Sequence, residues 1–383
     1  MRWPAWEIGR ALGIPIRIHA SWFVVFVFMT WTLATGYLPE ALPGLSNERY
    51  WGMGAVAAVL LFLSVLLHEL GHSYVALRYQ IPIGQITLFL FGGIAHMAKE
   101  PPNPRAEFLI AIAGPIVSLL LGAGCLGLAA ATEASLGVSG TQGFVVLGGL
   151  LGFVNVQLGL FNLIPGFPLD GGRVLRAGLW AWSKNFHRAT GQAATIGIFC
   201  GVIFGGIGAL LLAGAVVGAV DQSVAGNGGW LLFIGSFLFS AAWSARRQIV
   251  LREALDSTKV REVMIRTVDP IDSDLLVQRA VDEYFIAKGD DGFPVAEGGR
   301  IVGLVTVEDV QALPQGLWSW RTTREIMRAA SPELFVPPEV SIKQALDQMV
   351  QGGWDCLVVV EGESPVGLIT RAAVGQFLQL HKS

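Results

Sequence analysis

Runs free of Asp, Glu, Lys and Arg divide the chain into two kinds of territory. Up to Ala245 there are seven long ones: Ile18–Pro39, Met53–Leu67 (continuing as helix beyond His68), Tyr79–Ala98, Phe108–Thr132, Ala134–Leu169, Ala189–Val220 and Gln222–Ala245. A helix needs about 20 mostly apolar residues to cross a bilayer, and six of the runs are read as spanning helices on that scale. The third run differs. Pro82, Gly84, Gly92 and Gly93 interrupt it, and its centre, Ile86-Thr87-Leu88-Phe89-Leu90-Phe91, is short and rich in strand formers. It is predicted to be a re-entrant strand or hairpin. After Arg246 the apolar runs shrink to strand length, so a soluble α/β segment is predicted to follow the membrane portion.

Composition agrees with this division. Hydrophobic residues make up 53% of the 383, charged residues only 14%, and mean hydropathy is +0.56, values that point to an integral membrane protein. Glycine without a period and a net charge of −3 exclude a collagen-like chain, a disordered one and a basic nucleic-acid binder. Cys125, Cys200 and Cys356 are far apart and form no CxxC pair, which argues against a disulfide scaffold or a cysteine metal cluster. The first apolar run is too long for a secretory signal and lacks a small-residue cleavage pattern, so it is kept as the first span.

Cations choose between six crossings and seven, because short cytoplasmic loops are enriched in Lys and Arg. With six crossings and both termini in the cytoplasm, the inner segments hold Arg2, Arg10, Arg17, Arg78, Lys99, Arg105, Arg173, Arg176, Lys184, Arg188, Arg246, Arg247 and Arg252, against Arg49 alone outside. A seventh crossing at 79–98 would put Arg173 to Arg188 outside.

The second span ends in His68-Glu69-Leu70-Gly71-His72, an HExxH pattern. Residues i and i+4 share a helix face, so two imidazoles can hold one metal with Glu69 beside them as general base. His68 lies about 22 Å along the helix from Met53, inside a hydrocarbon core about 30 Å thick. Ionisable groups at that depth are costly unless paired or metal-bound. The competing reading is a pair of polar residues snorkelling at a helix end.

A catalytic zinc site takes three protein ligands. Asn162-Leu163-Ile164-Pro165-Gly166-Phe167-Pro168-Leu169-Asp170-Gly171-Gly172 breaks the fourth spanning run while still in or near the bilayer. Such backbone is tolerated there only when it is buried in protein or lines a wet cavity. Asp170 is therefore expected to deliver a carboxylate, at the depth of His72, since both spans run outside to inside. The other reading of Asp170 is an N-cap for the helix that follows.

HELGH in one span and NLIPGFPLDGG in a later one resemble the site-2 protease family of intramembrane zinc metallopeptidases. The resemblance extends over the membrane portion, including Phe91-Gly92-Gly93 and the Gly114-Pro115 pair. It implies one Zn2+ per chain on His68, His72 and Asp170, with Glu69 as catalytic base. It also implies that Asn162 stabilises the oxyanion or orients the substrate, and that a strand at Phe91, Gly92, Gly93 and Ile94 pairs with an unwound substrate segment. His96, just after that strand, is read first as a structural hydrogen-bonding residue, with a transient metal ligand or a gate residue as alternatives.

The tail is an internal repeat. Val260-Arg261-Glu262-Val263-Met264 returns as Thr323-Arg324-Glu325-Ile326-Met327, and Val302-Gly303-Leu304-Val305-Thr306 as Val366-Gly367-Leu368-Ile369-Thr370. Each copy is predicted to run strand, helix, strand, strand, helix, and the pair resembles CBS domains, at about 255–315 and 320–380, with Trp318 and Trp320 marking the linker. In that family the pattern at Thr306 and Asp309 implies an adenine-nucleotide site, a hydroxyl for phosphate and a carboxylate for ribose; the second copy keeps Thr370 but has Ala373. A purely structural or dimerising pair is the alternative.

The fold expected is thus a polytopic α-helical membrane domain, six spans plus a re-entrant β element, over residues 1–250, followed by a soluble α/β CBS pair over 251–383. The function expected is an intramembrane zinc endopeptidase acting on a membrane protein substrate within the lipid bilayer, modulated by the CBS pair, which also offers a homodimer contact. The rival is a CBS-regulated ion or metal transporter using the His/Asp cluster for permeation. Glu69 separates the two, because hydrolysis needs a carboxylate that is not a ligand and transport does not.

Overall fold

The computed structural model describes residues 4–89, 92–136, 141–221, 224–266, 269–289, 292–362 and 364–380, which form two compact units, Met1–Arg247 and Gln248–Ser383. The first unit opens with a hairpin that the sequence pattern did not predict: β1 (Ala5–Ala11) and β2 (Ile14–His19), antiparallel. Its two-residue turn places Leu12 at φ 54° and Gly13 at φ 78°. Left-handed backbone at both positions has the twist that flanking strands need.

The helices that follow are α1 (Ser21–Ala41), α2 (Asn47–Arg78), α3 (Pro104–Leu136), α4 (Gln142–Asn162), α5 (Asp170–Ser183), α6 (Phe186–Val216) and α7 (Ala225–Ser257). Six of them, all but α5, are long and apolar enough to cross a membrane, matching the six expected spans. Among its described residues, the run 79–98 forms no spanning helix. It folds as β3 (Ile83–Phe89) and β4 (Gly92–Met97), antiparallel, and β3 lies parallel to β2 with Ile16 opposite Ile86. The sheet order is β1-β2-β3-β4, and its shielded face carries Ile14, Ile16, Ile86 and Leu88.

With lipid as solvent, burying apolar surface gives helices little reason to associate, so small residues that allow close approach carry the packing. A Cβ at Gly201 would fall 2.6 Å from the Phe239 backbone nitrogen, and one at Gly235 2.2 Å from that of Gly205, so α6 and α7 touch backbone to backbone.

The second unit is built on the predicted repeat. One half contains β5 (Ile271–Asp272), β6 (Gly292–Glu297), β7 (Arg300–Thr306) and β8 (Arg328–Ala329); the other β9 (Phe335–Val336), β10 (Cys356–Glu361) and β11 (Ser364–Thr370). β5 and β9 pair parallel to the central strands β6 and β10, so the sheets are mixed. The short leading helices α8 (Val260–Val263) and α9 (Thr323–Ile326) are exchanged between halves. Met264 Sδ packs over Gly367, where an added Cβ would lie 2.8 Å away, and Met327 Sδ over Gly303, at 2.7 Å. Backbone bonds repeat the exchange: Val260 N–H donates to Val340 O, and Thr323 N–H to Leu275 O.

Candidate active site

Helix α2 places His68, Glu69 and His72 on successive positions of its inward side. The two Nε2 atoms lie 3.2 Å apart, and each lies 3.1 Å from Asp170 Oδ2. Both histidines are buried, at 4% and 5% exposure, and the Asp170 side chain retains 14%. Asp170 is the first residue of α5, whose N-cap is Leu169, and its carboxylate makes no cap bond, so the capping alternative is not what the structure holds.

One stripe of α3 arranges these groups. His72 Nδ1 lies 2.6 Å from the Ile110 carbonyl, which can only accept, so Nδ1 carries the proton and Nε2 presents a lone pair to the cluster. His68 Nδ1 meets the Ser118 hydroxyl at 2.9 Å. Between them Gly114 leaves the room both rings need: a Cβ there would fall 2.2 Å from His72 Nε2 and 2.6 Å from His68 Nε2. Ile110, Gly114 and Ser118 recur every four residues, one face of a helix. Sequence reasoning noted Gly114 but missed Ile110 and Ser118, which that spacing could have found.

Lone pairs converging this closely repel unless a cation lies among them. Ligands of a tetrahedral zinc stand about 3.4 Å from one another, given metal–ligand bonds near 2.1 Å. The separations of 3.1 to 3.2 Å are close to that value, and two imidazoles with a carboxylate are a donor set zinc accepts. The residues therefore fit a zinc ion.

Glu69 does not join this trio. Its carboxylate accepts the Ala95 N–H of β4, and Gly93 of the same strand passes so near that a Cβ would lie 2.5 Å from Glu69 Cγ. Gly92 and Ile94 pair with Phe89 and Thr87 of β3; Phe91 lies outside the described residues. Asn162 ends α4, its amide donating to Leu158 O of its own helix at 3.0 Å. The link from Asn162 to Asp170 folds back on the first turn of α5, where a Cβ at Gly171 would lie 2.3 Å from Ile164 O.

In the second unit, Thr306 and Asp309 form a reciprocal cap: the Thr306 hydroxyl and N–H both donate to Asp309 Oδ2, at 2.7 and 2.9 Å. Thr370 accepts the Ala373 N–H at 3.0 Å, with no carboxylate to reciprocate. A cleft of about 320 Å³ opens between the halves, lined by Thr306, Glu308, Asp355, Cys356, Thr370 and Arg371 among others; Asp309 does not line it.

Residues 56–135 and 123–206 match peptidase family M50, and residues 260–314 and 324–374 match the CBS domain. The chain is 34% identical over 379 residues to sll0528 of Synechocystis sp., whose name classes it as a zinc metalloprotease; the match covers 97% of this chain and 95% of that protein. It is 34% identical over 381 residues to Rip3 of Mycobacterium tuberculosis, named in the same way, covering 98% and 93%. A solved site-2 protease from Methanocaldococcus jannaschii is 32% identical, covers 63% of this chain and 95% of its own, and superposes with a TM-score of 0.43. The family match and the two relatives named as zinc metalloproteases favour hydrolysis over the transporter reading. With six apolar helices, a His-His-Asp cluster spaced for zinc and relatives matched over almost the whole chain, the protein belongs to peptidase family M50, the site-2 protease family of zinc metalloproteases, and carries a CBS pair.

Proposed function

We propose that this enzyme cleaves a transmembrane or membrane-proximal segment of a partner protein, with His68, His72 and Asp170 holding one zinc ion and Glu69 serving as general base. When bound, zinc supplies a Lewis acid that polarises a carbonyl and acidifies water at the site. Glu69 takes a proton from the attacking water and hands it to the leaving amine, while the Ala95 N–H keeps its carboxylate oriented. The Asn162 amide is placed to steady the developing oxyanion or to orient the peptide. β4, with Gly92, Gly93 and Ile94 following Phe91, re-enters the bilayer and offers an edge to a substrate strand, which unwinds the helix that would otherwise shield its peptide bonds. The single observation that carries this reading is the convergence of the three donor atoms with Glu69 alongside but outside their set.

On this reading both termini are cytoplasmic, the membrane domain takes up residues 1–250, and the CBS pair at 251–383 adjusts activity or assembly, including through homodimer contact. An adenine nucleotide binds in the cleft at Thr306, with Asp309 for its ribose once that carboxylate leaves its cap. Mass spectrometry of membranes holding the intact enzyme or Glu69→Gln tests the core of the proposal. Fragments that accumulate only with the intact enzyme, and zinc near one per chain in both, are expected. Full zinc occupancy in Asp170→Ala would overturn the ligand assignment.

A further inference from the structure

Glu107 stands in the first turn of α3, and its side chain is fully shielded from solvent. Its partners are both on α5. Arg173 Nε donates to Glu107 Oε1 at 3.2 Å, and Arg176 donates to the same oxygen. The Arg176 guanidinium is held between two rings, 5.1 Å from the centre of Phe167 and 4.6 Å from that of Phe186. Arg173 also reaches Met97 of β4, 3.9 Å from its sulfur. These arginines follow Asp170 by three and six residues along one side of the helix that Asp170 begins.

A buried carboxylate is a poor way to join two helices. Desolvating it costs several kcal/mol by typical estimates, and an apolar contact of similar volume holds as well or better. What two guanidinium groups converging on the single oxygen Oε1 supply is a fixed meeting point between α3 and α5; Glu107 Oε2 and Arg176 Nε have no hydrogen-bond partner of their own among the described residues. The first turn of the 14-residue α5 is seated where Gly171 and Gly172 meet the backbone of Leu163, Ile164 and Gly166, and the ion pair adds a second fixed point toward α3. Its first residue must bring one oxygen within 3.1 Å of two imidazoles carried by α2. The same α3 stripe that orients the histidines through Ile110 and Ser118 reaches Glu107 one turn earlier, so a single helix references all three donors.

We infer that Glu107, acting through Arg173 and Arg176, is a positioning residue that sets where the Asp170 carboxylate meets the histidine pair. The inference rests on the reading of Asp170 as a metal ligand. The test uses the full-length protein in detergent, with zinc affinity measured by competition against a chromogenic chelator and the ligand field read from the Co(II)-substituted protein. Glu107→Gln should weaken zinc binding about 10–100-fold, the range seen when groups supporting a ligand are removed, and should shift the Co(II) absorption bands. In an Asp170→Ala background the same change should cost nothing further, because the residue it positions is gone; a role in general packing would subtract equally from both backgrounds. Glu107→Asp, which keeps the charge, should recover part of the affinity. If Glu107→Gln does not fold, Arg173→Lys, which keeps the charge but loses the Nε donor, enters the same cycle. Folded variants with unchanged affinity and spectrum, or with equal losses in both backgrounds, overturn the inference. Unchanged zinc binding in Asp170→Ala itself would instead sink the ligand assignment on which it rests.

Discussion

The unit ending at Arg247 shields His68, His72, Ser73, Glu107, Ser118 and Asn155, and turns Phe199, Leu210 and Val216 outward, whereas the unit from Gln248 fills its interior with Leu304, Leu334, Ile342, Met349, Leu357 and Ile369. The buried polar groups of the second unit are mostly hydroxyls bound to backbone: Thr306 and Thr370 cap helices, and Thr323 donates to Asp272 O. The contrast follows from solvent. In lipid, burying leucine gains little and a polar group inside the bundle is expensive, and of those that persist His68, His72 and Ser118 belong to the cluster around Asp170. In water, apolar burial supplies stability and polar groups settle helix ends. Polar substitutions in the first unit should therefore damage the reaction ahead of the fold, and apolar substitutions in the second should do the reverse.

Five substitutions probe that division, in descending size of effect. Gly114→Ala places a methyl 2.2 Å from His72 Nε2, so zinc content and cleavage should both fall to background while the protein remains folded; zinc retained at one per chain would show that the stripe on α3 is not tight. Leu357→Ala, in a fully buried β10 position, should destabilise the second unit by about 2–5 kcal/mol. Hydrogen exchange should report that loss across 248–383 with zinc affinity untouched, and any zinc loss would break the comparison. Ser118→Ala removes the partner of His68 Nδ1 and should weaken zinc affinity about 10–100-fold, or roughly 1.4–2.7 kcal/mol, with little change in unfolding temperature. Thr306→Ala and Thr370→Ala remove helix caps, worth about 0.5–2 kcal/mol each. The first should cost more, because Asp309 completes its cap and nothing reciprocates at Ala373. Equal losses in thermal unfolding would show that the reciprocal bond adds nothing.

Much of this was legible in sequence because it is local. Six spans follow from unbroken apolar runs, the histidine pair from i,i+4 spacing, Asp170 beside it from a break in a span, and the tail from repeated pentapeptides. What escaped reading depends on distant pairing. The hairpin β1–β2 is too short to stand out, and it is placed by β2 lying along β3, with Ile16 opposite Ile86, seventy residues on. Ser118 and Glu107 sit in or at the edge of an apolar run, and only the fold reveals their partners, fifty residues back in one case and sixty-six ahead in the other. The bond from Asp309 back to Thr306 at the start of its own helix also went unread, because the pattern that suggests a ligand group does not show which partner the carboxylate takes in its absence. The exchange of leading helices had the repeat as its only trace, because like segments give no hint of which copy each will serve.

That exchange has a consequence for synthesis. A chain leaving the ribosome from its N-terminus exposes Val260–Ile265 long before Gly367 and Leu368, against which Met264 and Ile265 close. The first half likewise emerges before Thr323–Met327 and β8 arrive to cover Gly303 and the open edge of β7. Neither half can be completed alone, so this part of the molecule waits for nearly its whole length before it locks, and contacts about a hundred residues apart set the pace at which it does.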